Sequence, residues 1–435
     1  ANTTLGAAGF TFQSISANGA GSGIVLNNTG SAGGLSVTGD GSANSGGTIQ
    51  NATAAGISLT STRNVSLARM QIAGSGDHGI LGDAVNGFDC DYCLLLNNGN
   101  SATDEGIWFT QLGGTVAITN SNFTNSAHNN LYVRNTSGTL GSLSLVGNHF
   151  MTAGNHHVLI EGVTGAPAFT SIVIDGNTFT SAQSIGVQIA ASNDTVFGSV
   201  AITGNTFANN ILAIEASAVH GASLGFNASG NTITSTVSGG SHGLNSNHGI
   251  PSTGALRGRI ANNQIGDAGV PNSGSPIGNG VRLVGNDGGT KQLLVTGNTL
   301  REIRNGRGID VVNRNGTGRM DITVTDNNVA TNAQPADYPL AGVHVQSNCV
   351  GTCNSLRADI AGNTVAVPSG GCTGDLLGVC LELVETGSST CELRDRAPTG
   401  TASANAELIG NNALSASTAA SAGCSLTLTA PVLPP

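Results

Sequence analysis

One phrase recurs along this chain and limits its fold more than any other feature. It reads VAITNSNF (116–123), LSLVGNHF (143–150), IVIDGNTF (172–179), VAITGNTF (200–207), LLVTGNTL (293–300), ITVTDNNV (322–329) and ADIAGNTV (358–365). Weaker copies are VSLARMQI (65–72), NASGNTI (227–233) and GRIANNQI (258–265). The closing apolar residue falls at Phe123, Phe150, Phe179 and Phe207, in steps of 27, 29 and 28 residues. A second phrase follows each first one: GISL (56–59), GIWF (106–109), NLYV (130–133), GVQI (186–189), GVRL (280–283), GIDV (308–311) and GVHV (342–345). Both phrases alternate apolar and polar residues, the period-2 mark of strands with one buried face. Between them lie Asn, Gly, Ser and Thr, which are turn residues.

A unit of two or three short strands cannot bury its apolar face alone, so successive units must stack and share one core. No segment carries a helical period. The expected fold is all-β, a single-stranded parallel β-helix of about 13 coils, which at the ~4.8 Å strand spacing makes a rod of about 60 Å. The Asn of the G-N-x-apolar corner (Asn148, Asn177, Asn205, Asn231, Asn298, Asn363) is expected to take the left-handed corner and bond to the copies above and below. Open ends need caps against edge pairing. Residues 1–20 are read as an N-terminal cap, 21–385 as the β-helix and 386–435 as a disulfide-containing C-terminal cap or linker.

These phrases resemble the right-handed parallel β-helix repeats of pectate-lyase-like proteins, phage tailspikes and bacterial surface or autotransporter passenger proteins. The resemblance covers roughly residues 20–390 and implies a right-handed coil. It leaves function open, because that fold hosts lyases, hydrolases, epimerases and adhesins. The signature sets of polygalacturonases and alginate epimerases are absent, as is the repeated Asp triplet of calcium-dependent pectate lyases.

Composition narrows the setting. Fourteen arginines and a single lysine (Lys291) against 25 carboxylates leave no basic footprint for nucleic acid. No run of about 18 apolar residues exists to enter a membrane. Eight cysteines suggest an oxidising compartment and a secreted or cell-surface protein. The simplest pairing joins Cys349 to Cys353, Cys372 to Cys380 and Cys391 to Cys424, among 15 connectivities open to six cysteines. Cys90 and Cys93, in FDCDYCLL, have no second metal-spaced pair in the sequence, so they are read as a local disulfide or as two core thiols.

Chemistry on such a fold is built from outward columns. Aligned second phrases place Leu81, Trp108, Tyr132, Leu159 and Gln188 in one column, with the only Trp beside a Tyr, the usual platform for a sugar ring. Before those strands lies a polar column of Asp77-His78, Asp104-Glu105, His128-Asn129 and Asn155-His156. Paired carboxylates suit glycoside hydrolysis or Ca²⁺, and Asp, Asn and His also suit plain corners. A second column, Arg282, Asp310 and His344, suits an acidic sugar or a lyase base, or else a solvated ion-pair ladder. The ligand-binding residues expected are Trp108, Tyr132, Asp104 and Glu105. The catalytic candidates are Asp77, Asp104, Glu105, Arg282, Asp310 and His344. Three functions remain open: an adhesion module for an extracellular polysaccharide or cell-surface glycan, a polysaccharide lyase or hydrolase, and a structural shaft. No cofactor is required, Ca²⁺ being the one candidate.

Overall fold

The computed structural model describes residues 4–235, 242–248, 254–286, 288–331, 341–349, 355–366, 381–387, 389–394, 396, 403–414, 419–422, 424–427, 431 and 433–434. The protein is a parallel β-helix. Its strands fall into three parallel sheets of 15, 14 and 14 members, and each sheet takes every third strand of the chain. The first phrase supplies the first and second strands of a coil, and the second phrase supplies the third. The chain divides into two compact units, residues 1–206 and 207–435.

In the first unit the alternation read from sequence becomes stacked core columns. Val65, Phe88, Val116, Leu143, Ile172 and Val200 are register partners in successive coils, all at most 1 % exposed. Phe150 lies between Phe123 and Phe179, with ring centroids 4.6 and 4.9 Å away. In the second unit Lys291 occupies the core register between Leu256 and Met320, fully buried, and its amine donates to the Gly288 carbonyl at 3.0 Å.

The corner asparagines form a buried ladder within each unit. The backbone N–H and side-chain amide of Asn148 both donate to Asn177 Oδ1 (2.8 and 3.0 Å), and Asn177 repeats this toward Asn205 (2.9 and 3.0 Å). Each amide also donates to a carbonyl of the preceding coil, Asn148 to Ile118 and Asn177 to Leu145. In the second unit the rungs are Asn231, Asn263, Asn298, Asn327, Asn363 and Asn412. The left-handed residue of the corner is not the ladder Asn, as expected, but the one before it. Gly147, Gly176 and Gly204 take φ of 66°, 63° and 61°, and Asn120 takes 50°. Giving that strain to Gly leaves the following Asn free to turn its side chain inward. Upstream, Ser121 and Cys93 hold the same rung: Cys93 N–H donates to Ser121 Oγ, and Ser121 N–H to Asn148 Oδ1, each at 2.9 Å.

Strand pairing begins at Phe10–Phe12, inside the segment read as a cap, and continues to Ser425–Thr427. One helix, α1 (Ala404–Asn411), departs from the all-strand expectation. Ser403 caps it by accepting from the Ala406 N–H, and Glu407 sits in its first turn, where the helix dipole favours a carboxylate. Cys90 and Cys93 are disulfide-bonded, one of the two readings left open for them, and Cys391–Cys424 is bonded as in the simplest of the possible pairings. The other four cysteine side chains lie outside the described residues.

Candidate functional site

The aromatic column assembles in the first unit. Trp108 pairs in register with Leu81 and Tyr132, and Tyr132 with Leu159, on the outward face of the third sheet. The indole and phenol rings are stacked nearly parallel, their planes 4° apart and their centroids 6.1 Å apart, and both are half-buried. His78 packs its ring edgewise on Trp108 at 4.8 Å. The Tyr132 hydroxyl donates to Glu161 Oε1, which also accepts from Arg134 Nε at 3.0 Å. Burial, and then the Glu161 carboxylate, push the Tyr132 hydroxyl well above the ordinary phenol range. Glu161 was not singled out from sequence. Its signal was its register position opposite Arg134, two residues beyond the column that was read.

The polar column lies at the corner before these strands and turns inward. Glu105 is 2 % exposed, and its carboxylate accepts from His128 Nδ1 (2.9 Å), the Asn129 N–H and the Asn129 amide (3.2 Å). Burial raises its pKa, and those bonds oppose the rise. His128 Nε2 in turn meets the Asn155 amide at 3.1 Å. Asp104 Oδ2 accepts the N–H groups of Asn100 and Ser101, the bonding of a tight turn. These residues therefore hold the corner, and Glu105 presents no unbonded oxygen outward.

Asp77, His78 and Asp104 bring one ligand atom each within 4.8 Å of one another. The bonding of His78 argues against a cation there. Its Nδ1 accepts the Glu105 N–H at 2.8 Å, so the ring proton sits on Nε2 and donates to Asp77 Oδ1 at 3.1 Å. Neither ring nitrogen then offers a lone pair.

His78 and His156 are both held neutral by burial, His156 with a pKa of about 4 against an ordinary 6.5. A neutral buried histidine stabilises the fold above its unfolded pKa, and that stability is lost as the unfolded state takes up protons. Stability of the first unit is therefore expected to fall between pH 6.5 and 4. Melting temperature against pH checks this, and His156→Gln should flatten the fall. A pH-independent melt across that window would contradict it.

The second column assembles in the other unit. Arg282, Asp310 and His344 are register neighbours, as aligned from sequence. They do not form a solvated ladder: Asp310 is 5 % exposed and His344 fully buried. Asp310 accepts from His344 Nδ1 (2.8 Å), Arg307 (3.0 Å) and the Asn279 amide (3.1 Å), with Arg282 at 3.8 Å. Burial works against its charge, but His344, Arg307 and Arg282 outweigh it and hold the carboxyl below the usual range. Sequence alignment stopped short of the column's continuation, which runs to Asn245 and Glu215 on one side and to the buried Glu382 on the other. Also unread was Asp359, paired with Arg394 and Arg396 at 2.9 and 2.7 Å beside a groove of about 440 Å³. Among the described residues no helix is long and apolar enough to cross a membrane. Comparison with protein-family models, with curated proteins and with solved structures finds no match.

Proposed function

We propose that this protein is an exported β-helix of the pectate-lyase-like type, of the surface or passenger kind, that binds an extracellular polysaccharide through Trp108 and Tyr132. The observation carrying this reading is the pair of parallel, stacked rings on an outward sheet face. Side by side, the two half-buried rings offer an apolar outward surface against which sugar C–H groups can pack. The Trp108 indole N–H is buried without a hydrogen-bond acceptor. Two disulfides fit an oxidising setting. Catalysis gains less support, since Glu105 and Asp310 are both buried and committed to internal bonds.

The test is affinity electrophoresis against a panel of soluble polysaccharides. Trp108→Ala is expected to weaken retention roughly tenfold, equivalent to about 1.4 kcal/mol, with an unchanged far-ultraviolet spectrum. Unchanged retention in the Trp108→Ala/Tyr132→Ala double variant would remove the platform.

A further inference from the structure

The platform lies in an acidic field. Beside the row Leu81, Trp108, Tyr132 and Leu159 runs a second outward row of Asp83, Thr110, Arg134 and Glu161. Asp77 and Asp104 lie close to His78, the residue packed on Trp108. Four carboxylates, Asp77, Asp83, Asp104 and Glu161, thus border the rings in addition to buried Glu105. Arg134 is the one guanidinium in these rows, and it is engaged by Glu161. His78 is neutral at pH 7, so it adds no positive charge. The two bonds to Glu161, from Tyr132 and Arg134, both end on Oε1. Among the described residues no bond ends on Oε2, and the side chain is 20 % exposed.

We infer that the platform takes neutral pyranoses and rejects polyuronates, with Glu161 as the specificity-determining residue; this rests on the platform reading above. A sugar ring packed against the outward edge of Tyr132 places its hydroxyls beside Glu161, where Oε2 accepts from them. Ionised acceptors make stronger hydrogen bonds than neutral ones. A uronate in the same pose sets a second carboxylate against Glu161 and Asp83, and like charges brought together at an interface are strongly unfavourable. The chain's net charge of −10 repels a polyanion at longer range as well.

The experiment compares soluble neutral glucan and galactomannan with polygalacturonate and alginate, at low salt, for the wild type, Trp108→Ala and Glu161→Gln. Neutral chains are expected to bind at least tenfold more tightly than polyuronates. The gap should narrow at high salt, because screening weakens repulsion between exposed charges. Glu161→Gln keeps the side chain's shape and its contact with Tyr132, and should reduce the discrimination several-fold. Polyuronate binding as tight as neutral binding, and lost in Trp108→Ala, would overturn this inference and leave the platform standing. Discrimination unchanged in Glu161→Gln would overturn the role of Glu161. No Trp108-dependent binding of any chain would overturn the platform and this inference together.

Discussion

Asp310→Ala is expected to destabilise the second unit by about 3–5 kcal/mol, the loss typical when one member of a buried ionic cluster is removed. Alanine takes away the acceptor of His344, Arg307 and the Asn279 amide at once, in a position only 5 % exposed. The guanidinium and imidazole then lose their bonds to Asp310 at a position that water reaches poorly. Asp310→Asn retains the volume and one acceptor, so its loss should be smaller. The readout must lie in this unit. The only tryptophan is in the other one, so the measurement is hydrogen exchange at the amides of Ile309–Arg314. Protection unchanged in Asp310→Ala would show that the cluster contributes little. The carboxyl is held below the usual range, so its contribution is present at neutral pH and is lost only as pH falls below the ordinary carboxylate range, through the folded value.

Phe150→Ala is the matching experiment on the apolar side. Its ring is fully buried and lies 15° and 10° from parallel with Phe123 and Phe179. Truncation opens a cavity between two rings that the parallel backbone on either side holds apart. The expected loss is about 3–5 kcal/mol, with Phe150→Leu losing less. Trp108 fluorescence during urea unfolding reports it, since both residues lie in the first unit. A loss below about 1 kcal/mol would mean that the coils close up around the gap, contrary to the usual cost of such a truncation.

The coil and its register were legible because two periodicities agree. Alternation chooses the face of a residue, and the repeat chooses its partner. Together they place Trp108 against Tyr132 and Arg282 against Asp310 with no further information. Burial of an outward column follows neither rule. Asp310 and His344 lie on the outward register and are nevertheless buried, and Asp310 is bonded by Asn279 and Arg307 from between strands, where no period holds. Glu105, expected at the contact surface, is likewise buried, bonded to His128 and Asn129 at the corner. The helix at Ala404–Asn411 escaped detection because eight residues with three buried positions carry too weak a pattern to separate from a degenerate repeat. Its neighbour Asn412 still fills the ladder position, accepting from Asn363 at 2.9 Å.

The asparagine ladder has a direction. Each rung hands its backbone and amide N–H groups forward to the oxygen of the next, Asn148 to Asn177 and Asn177 to Asn205. A partly formed stack therefore ends, on its C-terminal side, in a coil whose donors await the next coil. Each rung is completed by its successor, while its amide also binds a carbonyl of the coil before it. Cutting the ladder from its two sides is consequently not equivalent. Loss of a following coil strands two donors on the last Asn, whereas loss of a preceding coil strands only the amide donor to its carbonyl and an oxygen that water readily serves.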